Sequence, residues 1–286
     1  MKKGMQGFGV NINLGGLGGL GGMFGGQADP KNPKITGAGN LPGGKYETLT
    51  ISGAGKVDGD VEAKSVRLAG ASTINGNVKA GTFEANGSCT VTGRIVADEV
   101  SSGGALKAGR NIKAGKFDAR GAFSAGGDVE AKTFRASGGF GVDGRIKAEE
   151  IEIELNGRCH AKALEGSKIS VKRGVSSGGS AVSVSFGGRG GDAGASAVSS
   201  GGSAVSVAFG GRGGDAGASV VSGSEGSLEV ESIEGDKVTL EATRAEVVKG
   251  KRVNIGAGCE IERVEYTEEL KVDKEAKVEK SERTGK

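Results

Sequence analysis

The sequence predicts an all-β chain built as a β-solenoid, and three observations carry that prediction. First, residues 53–154 are six back-to-back copies of a seventeen-residue unit, starting at Gly53, Gly70, Gly87, Gly104, Gly121 and Gly138. Repetition at a fixed period marks architectures in which each unit buries its apolar face only against its neighbours. Second, apolar residues inside each unit fall in i, i+2 pairs, the period of a strand with one buried face. Third, 58 glycines, 4% aromatic residues and no tryptophan do not suit a thick globular core.

Stacking the six copies assigns each position. Position nine reads Val61, Val78, Ile95, Ile112, Val129, Ile146, and position eleven is alanine throughout (Ala63, Ala80, Ala97, Ala114, Ala131, Ala148). Position fourteen reads Val66, Phe83, Val100, Phe117, Phe134, Ile151, and position sixteen is small or apolar, from Leu68 and Ala85 to Ile153. Positions three and five contribute the third pair, as in Cys89/Val91, Leu106/Ala108 and Phe123/Ala125. Three short strands per unit, broken by glycine near positions one and seven, describe one turn of a triangular coil. Coils stacked ~4.8 Å apart pair each backbone edge with the next and share one thin core. The alanine column marks a place too narrow for a larger side chain. Position fifteen often sets opposite charges on neighbouring rungs (Arg67 then Glu84, Arg135 then Glu152), which suits pairing on a solvated face.

The charge balance is 38 basic against 35 acidic residues, a net +3 that gives no broad reason to expect nucleic acid or an acidic substrate. Three cysteines are an odd number and form no disulfide framework. Cys89 occupies the column of Leu106 and Phe123, Cys159 in GRCHA aligns with Ile146 in GRIKA, and Cys259 stands two before Ile261. All three read as small apolar core residues, with a reducing cytoplasm the simplest home.

In chain order, residues 1–33 are a glycine-rich tail. It lacks the solid apolar run and A-x-A-like site of a signal peptide, and glycine interrupts it too often for a transmembrane helix. Met1, Lys2, Lys3, Met5, Phe8, Met23 and Phe24 are its candidate contacts with a membrane surface. Residues 34–173 form the first solenoid block, with Thr48–Ser52 matching Ser65–Ala69 as a partial coil ahead of the first full one. Gly39–Lys45 fits G-x-x-x-x-G-K, but Tyr46 stands where a phosphate loop needs Ser or Thr, and the context is strand. After Glu154 the period breaks: GRCHA follows GRIKA by thirteen residues, which reads as a coil about four residues short. His160, the one histidine, points away from Cys159 and reads as a solvated surface residue rather than a metal ligand. Residues 174–226 are a Gly/Ser-rich insertion holding two twenty-three-residue copies of SGGSAVSVxFGGRGGDAGASxVS. Residues 227–272 resume the solenoid. Leu164–Val171 resembles Ile233–Leu240, and the pattern returns fifteen residues later at Gly250–Ile255. Residues 273–286 alternate lysine and glutamate and read as a charged flexible tail.

An active site needs convergent acid, base, nucleophile or metal ligands. The repeated outward columns offer charges of both signs without an acidic cluster, and the six-five-six step is not the period of hexapeptide acyltransferases. The expectation is a protein that is not an enzyme and takes no cofactor, metal, nucleic acid or small-molecule substrate.

Short glycine-punctuated coils such as ISGAGKVDGDVEAKSVRLAG, preceded by GNLPGG and followed by GRIKAEEIEIELNGRC and VESIEGDKVTLE, resemble the bactofilins and the longer Firmicute polymer-forming cytoskeletal proteins. The resemblance covers residues 34–173 and 227–275. It implies a right-handed β-helix that assembles with itself, without nucleotide, into non-polar cytoskeletal filaments. Such scaffolds lie in the cytoplasm, often at the inner face of the membrane, and serve envelope or motility proteins. The second block, the duplicated insertion and the glycine-rich tail depart from that family. For end-to-end contact the sequence nominates an outer rung of Leu49, Ile51 and Val57, and last rungs of Val264, Tyr266 and Leu270. Two other readings stay open: a solenoid binding module that presents residues 177–222, and a surface structural protein.

Overall fold

The computed structural model describes residues 29–174 and 226–284, together with the backbone of 182–186 and 205–209. The chain divides into two compact units, 1–134 and 135–286. Every regular element among the described residues is a strand, and each unit is a parallel β-solenoid.

In the first unit, strand β1 (Lys34–Asn75) winds through successive sides of the coil and pairs in parallel with β2 (Val78–Val91). The next rungs are β3 (Ile95–Ser102) with β4 (Ala105–Ala108), then β5 (Ile112–Ala119) with β6 (Ala122–Ala125). Strand β7 (Val129–Arg173) begins here and runs on through the second unit. The register is the sequence period: Val61 faces Val78, Val78 faces Ile95 and Ile95 faces Ile112. Cys89 faces Leu106, which faces Phe123. Because the register repeats, like stacks on like. Phe117 and Phe134 stack with centroids 5.2 Å apart and planes at 3°, and Phe123 meets Phe117 edge-on at 5.1 Å. Each such pair adds about 0.5–1.5 kcal/mol beyond burial.

The corners obey backbone sterics. Gly70 has φ +103°, and a Cβ there would lie 2.5 Å from the Gly53 carbonyl oxygen. A short carboxylate and a short amide serve another corner: the Asn77 backbone N–H donates to Asp60 Oδ1 at 2.7 Å, and Arg94 N–H donates to Asn77 Oδ1 at 3.1 Å. Side chains thereby satisfy donors that the turning backbone leaves unpaired. Hydrogen bonding to Asn77 holds the Asp60 carboxyl below the usual range. The alanine column retains 7–9% exposure at Ala63, Ala80, Ala97 and Ala114. Ala63, Ala80, Ala97 and Ala114 line an outward groove with Lys45 and Tyr46.

In the second unit, β7 passes through Leu155 and Cys159 to Arg173. The insertion leaves at Gly174, and β10 (Ser227–Leu240) resumes directly on β7, with Leu164 facing Ile233 and Gly166 facing Gly235. Both ends of the insertion meet one carbonyl: Gly174 N–H donates to Leu155 O at 3.1 Å, and a Cβ at Gly226 would touch that same oxygen. Within the insertion, β8 (Val182–Phe186) pairs in parallel with β9 (Val205–Phe209), residue for equivalent residue of the two repeats. β11 (Thr243–Ile255), β12 (Glu260–Val272) and β13 (Lys277–Arg283) follow as successive parallel rungs. Here glycine replaces the alanine column: a Cβ at Gly235 would lie 2.5 Å from Gly166 O.

Two sequence expectations are corrected. The coil holding GRCHA is long, not short. The offset between contacting residues grows from 17 at Arg135–Glu152 through 19 at Ser137–Asn156 to 21 at Gly138–Cys159, then falls to 18 at Glu150–Lys168. Cys159 therefore lies beside Gly138, with its Sγ 3.3 Å from that carbonyl, rather than over Ile146. GRCHA and GRIKA share a buried alanine, Ala161 and Ala148, but the added residues of the longer coil put the two segments on different sides. The second correction concerns residues 273–286: Lys277–Arg283 is a strand, because Lys277 N–H donates to Cys259 O and Thr284 N–H to Tyr266 O, both at 2.8 Å. Backbone pairing accepts a Lys/Glu-rich strand at an edge, where charge also discourages indiscriminate pairing.

Candidate self-association surfaces

A solenoid rung has three sides, and among the described residues the first and the last rung are each incomplete. At the first end, Lys31–Ile35 lies along the third side only. Glu47 N–H donates to Lys31 O at 2.7 Å and Thr50 N–H to Pro33 O at 3.1 Å. Pro33 and Ile35 are buried there. On the other two sides the outermost strand among the described residues is the stretch of β1 from Ala38 to Tyr46. Lys45 in it pairs with Glu62 at 2.9 Å, and Tyr46 Oη donates to Pro42 O at 2.6 Å. Desolvation raises the Tyr46 hydroxyl pKa. The stretch Gly39–Lys45 is strand within β1.

Leu49, Ile51 and Val57 are each 0% exposed. They are core residues one rung inside the end, not its rim. The coil before the first repeat is nearly complete, since a Cβ at Gly53 would lie 2.5 Å from Gly37 O, the same corner contact that the repeats make. The signal lay in Gly37 and Gly43, which copy the corner glycines at a sixteen-residue offset.

At the other end, β13 covers Glu260–Tyr266, the first two sides of the β12 rung. Val264 lies beneath it at 0% exposure, and Tyr266 is half-buried. On the third side, among the described residues, no strand lies over Glu269–Val272. Leu270 is half-buried there and Val272 is 45% exposed. Val272, absent from the sequence-based set, is the exposed large apolar residue of the described chain. Met1, Lys2, Lys3, Met5, Phe8, Met23 and Phe24 lie outside the described residues.

The outward faces are ladders of ion pairs between rungs. Lys45–Glu62–Lys79 runs through 2.9 and 3.2 Å, and Arg67–Glu84 and Arg135–Glu152 close at 3.2 and 2.8 Å. Some files break the rule: Lys168, Lys237 and Arg252, for one, are partners in register. Glu231, Glu246, Glu262 and Glu279 stand on successive rungs, all exposed, along a shallow groove of about 430 Å³ that also touches His160. His160 is exposed beside buried Cys159. All three cysteines are free and buried, and burial pushes the Cys89 and Cys159 thiols up to about 11. Among the described residues, no three His, Cys, Asp or Glu converge as a metal-binding set, and no helix is long and apolar enough to cross a membrane.

No protein family's sequence profile matches the chain, and no solved structure matches it. Two Bacillus subtilis (strain 168) proteins described as uncharacterized are similar over short stretches. YhbF is 44% identical over 54 residues, which is 19% of this chain and 23% of that protein. YhbE is 46% identical over 54 residues, with the same coverage of each chain. The chain thus matches less than a quarter of either relative's length. The architecture itself, a β-solenoid, is consistent with a structural scaffold.

Proposed function

We propose that this protein is a non-enzymatic cytoskeletal scaffold that assembles with copies of itself, without nucleotide, through the ends of its solenoid. The observation that carries the proposal is the unpaired edge of Glu269–Val272, with Val272 exposed beside the partial rung β13. An open strand edge with apolar residues is a template for another strand. An end contact that does not close on itself propagates. Ion-paired outward columns and high-pKa cysteines suit a structural surface better than a reactive one. Buried unpaired thiols and the resemblance to bactofilins favour a cytoplasmic setting, with the N-terminal segment near the inner membrane face and envelope or motility proteins as clients.

Negative-stain electron microscopy and sedimentation of the purified chain, without nucleotide, test the proposal. Extended assemblies are expected from the natural chain, and Val272→Lys should raise the concentration needed for them at least tenfold. Discrete particles at every concentration would sink the idea. A second reading has its own observation. Gly174 and Gly226 both meet Leu155, so the two flanks of the insertion lie together, as a binding loop requires. Loss of partner capture, but not of assembly, on its removal would favour that reading.

A further inference from the structure

The insertion carries a second contact, away from the solenoid ends: we infer that β8 and β9 pair edge to edge with the same strands of a second copy of this chain. The two strands form a parallel sheet of their own, apart from the solenoid sheet, and among the described residues nothing pairs with its outer edges. A two-stranded sheet is marginal in water, and three or more strands are needed for independent stability. What each repeat recognises is already visible, because every residue of Val182–Phe186 faces its equivalent in Val205–Phe209. Repeat pairs with repeat, and a second copy brings two more.

Edge strands are normally guarded by charge or proline. β13, at the edge of the solenoid sheet, obeys that rule with Lys277, Glu279, Lys280, Glu282 and Arg283. β8 (VSVSF) and β9 (VSVAF) carry no charge, proline or glycine. Short, uncharged, β-prone segments of this kind are the ones that pair between chains. Val182, Val184 and Phe186 share one face of β8, and Ser183 and Ser185 share the other. A two-fold axis at Val184 sets β8 antiparallel to its counterpart. Val184 then faces Val184 of the second copy and Val182 faces Phe186, so one face of the joint sheet stays apolar. The same holds for β9 about Val207. The direction follows from bulk. Both flanks of the insertion meet the solenoid at Leu155, and a solenoid is far wider than the ~4.8 Å between paired strands. Parallel pairing would crowd two solenoids at one end of the sheet, whereas antiparallel pairing sends them to opposite ends. The contact is like-with-like, so it gives the assembly no direction.

Val184→Cys, Val207→Cys and a control between the two strands, Ala193→Cys, are made separately in the full chain, then oxidised alone and mixed. Facing residues of antiparallel strands have Cα atoms about 4.5–5.5 Å apart, within the reach of a disulfide. The native cysteines, at 1–3% exposure, stay out of the reaction. The solenoid's melt is expected to be unchanged in all three, because the segments flanking the insertion pair directly. The expected result is a covalent dimer from Val184→Cys, Val207→Cys or both, each alone, at least tenfold more abundant than from Ala193→Cys. Equal yields from all three would reveal chance collision and overturn the contact, as would no dimer in any sample. Dimers found only in the mixture of Val184→Cys with Val207→Cys would reveal β8 against β9 and overturn the two-fold. Cross-linked dimers without extended assemblies would keep this contact and remove the end-to-end scaffold, and extended assemblies without cross-links would do the reverse.

Discussion

At the scale of single residues, the fold is governed by what sits at the same position one rung away. Ser102 is 1% exposed, its hydroxyl has no partner, and Ala85 and Ala119 are its neighbours above and below. An unsatisfied buried hydroxyl costs about 1–3 kcal/mol. Ser102→Ala should therefore stabilise the chain by about 1 kcal/mol, read as a higher urea midpoint with unchanged slope. The opposite outcome is expected in the aromatic stack. Phe117 is fully buried between Phe123 and Phe134, and Phe117→Ala should cost about 3–5 kcal/mol through lost burial and the cavity left behind. Both residues were legible in the sequence as members of columns. The missing partner of Ser102 was not, because hydrogen bonding depends on which groups the coil brings within reach.

At the scale of rungs, parallel in-register stacking multiplies whatever each position carries. Opposite charges make ladders, and like charges make strain. Glu246 stands between Glu231 and Glu262. Glu246→Lys should replace two repulsions with two attractions and raise the melting temperature by about 1–3 °C. Glu62→Lys, placed between Lys45 and Lys79, should lower it by a similar amount, so paired thermal melts test the ladder rule in both directions. The file of glutamates follows from a register of fifteen, sixteen and seventeen residues between successive rungs. A single period read along the sequence does not align it.

At the scale of the whole molecule, the insertion and the response to acid are the informative features. Gly174 and Gly226 converge on Leu155, while the flanking segments pair directly. Deleting 175–225 should leave the β-rich circular dichroism spectrum of the solenoid and a cooperative melt; loss of the melt would show that the insertion supports the fold. Acid should act through the outward ladders. The carboxyls of Asp58, Asp60, Glu62, Glu150, Glu260 and Glu269 are held below their ordinary values chiefly by hydrogen bonds from neighbouring residues. A group whose pKa is lower folded than unfolded stabilises the fold above its unfolded pKa. That contribution falls away as pH drops through the folded value. Thermal stability should thus be level from neutral pH to about 5 and decline below about 4. Salt near neutral pH should weaken the same exposed pairs by screening.

The sequence by itself determined the solenoid and the buried columns. It also determined the resumption of the fold at Ile233 and Gly250. Side-chain periodicity is the cause of stacking, so the periodic columns are the fold written out. Only the tertiary structure decided how far the described rungs extend. Leu49, Ile51 and Val57 look like a rim in a list of repeats, yet Lys31–Ile35 and the corner at Gly37 add another layer. Lys277–Arg283 looks like a tail, yet it pairs with β12. The physical reason is common to both. Terminal rungs are held by backbone hydrogen bonds to the rung beneath, and a backbone donor or acceptor leaves no mark in the residue pattern.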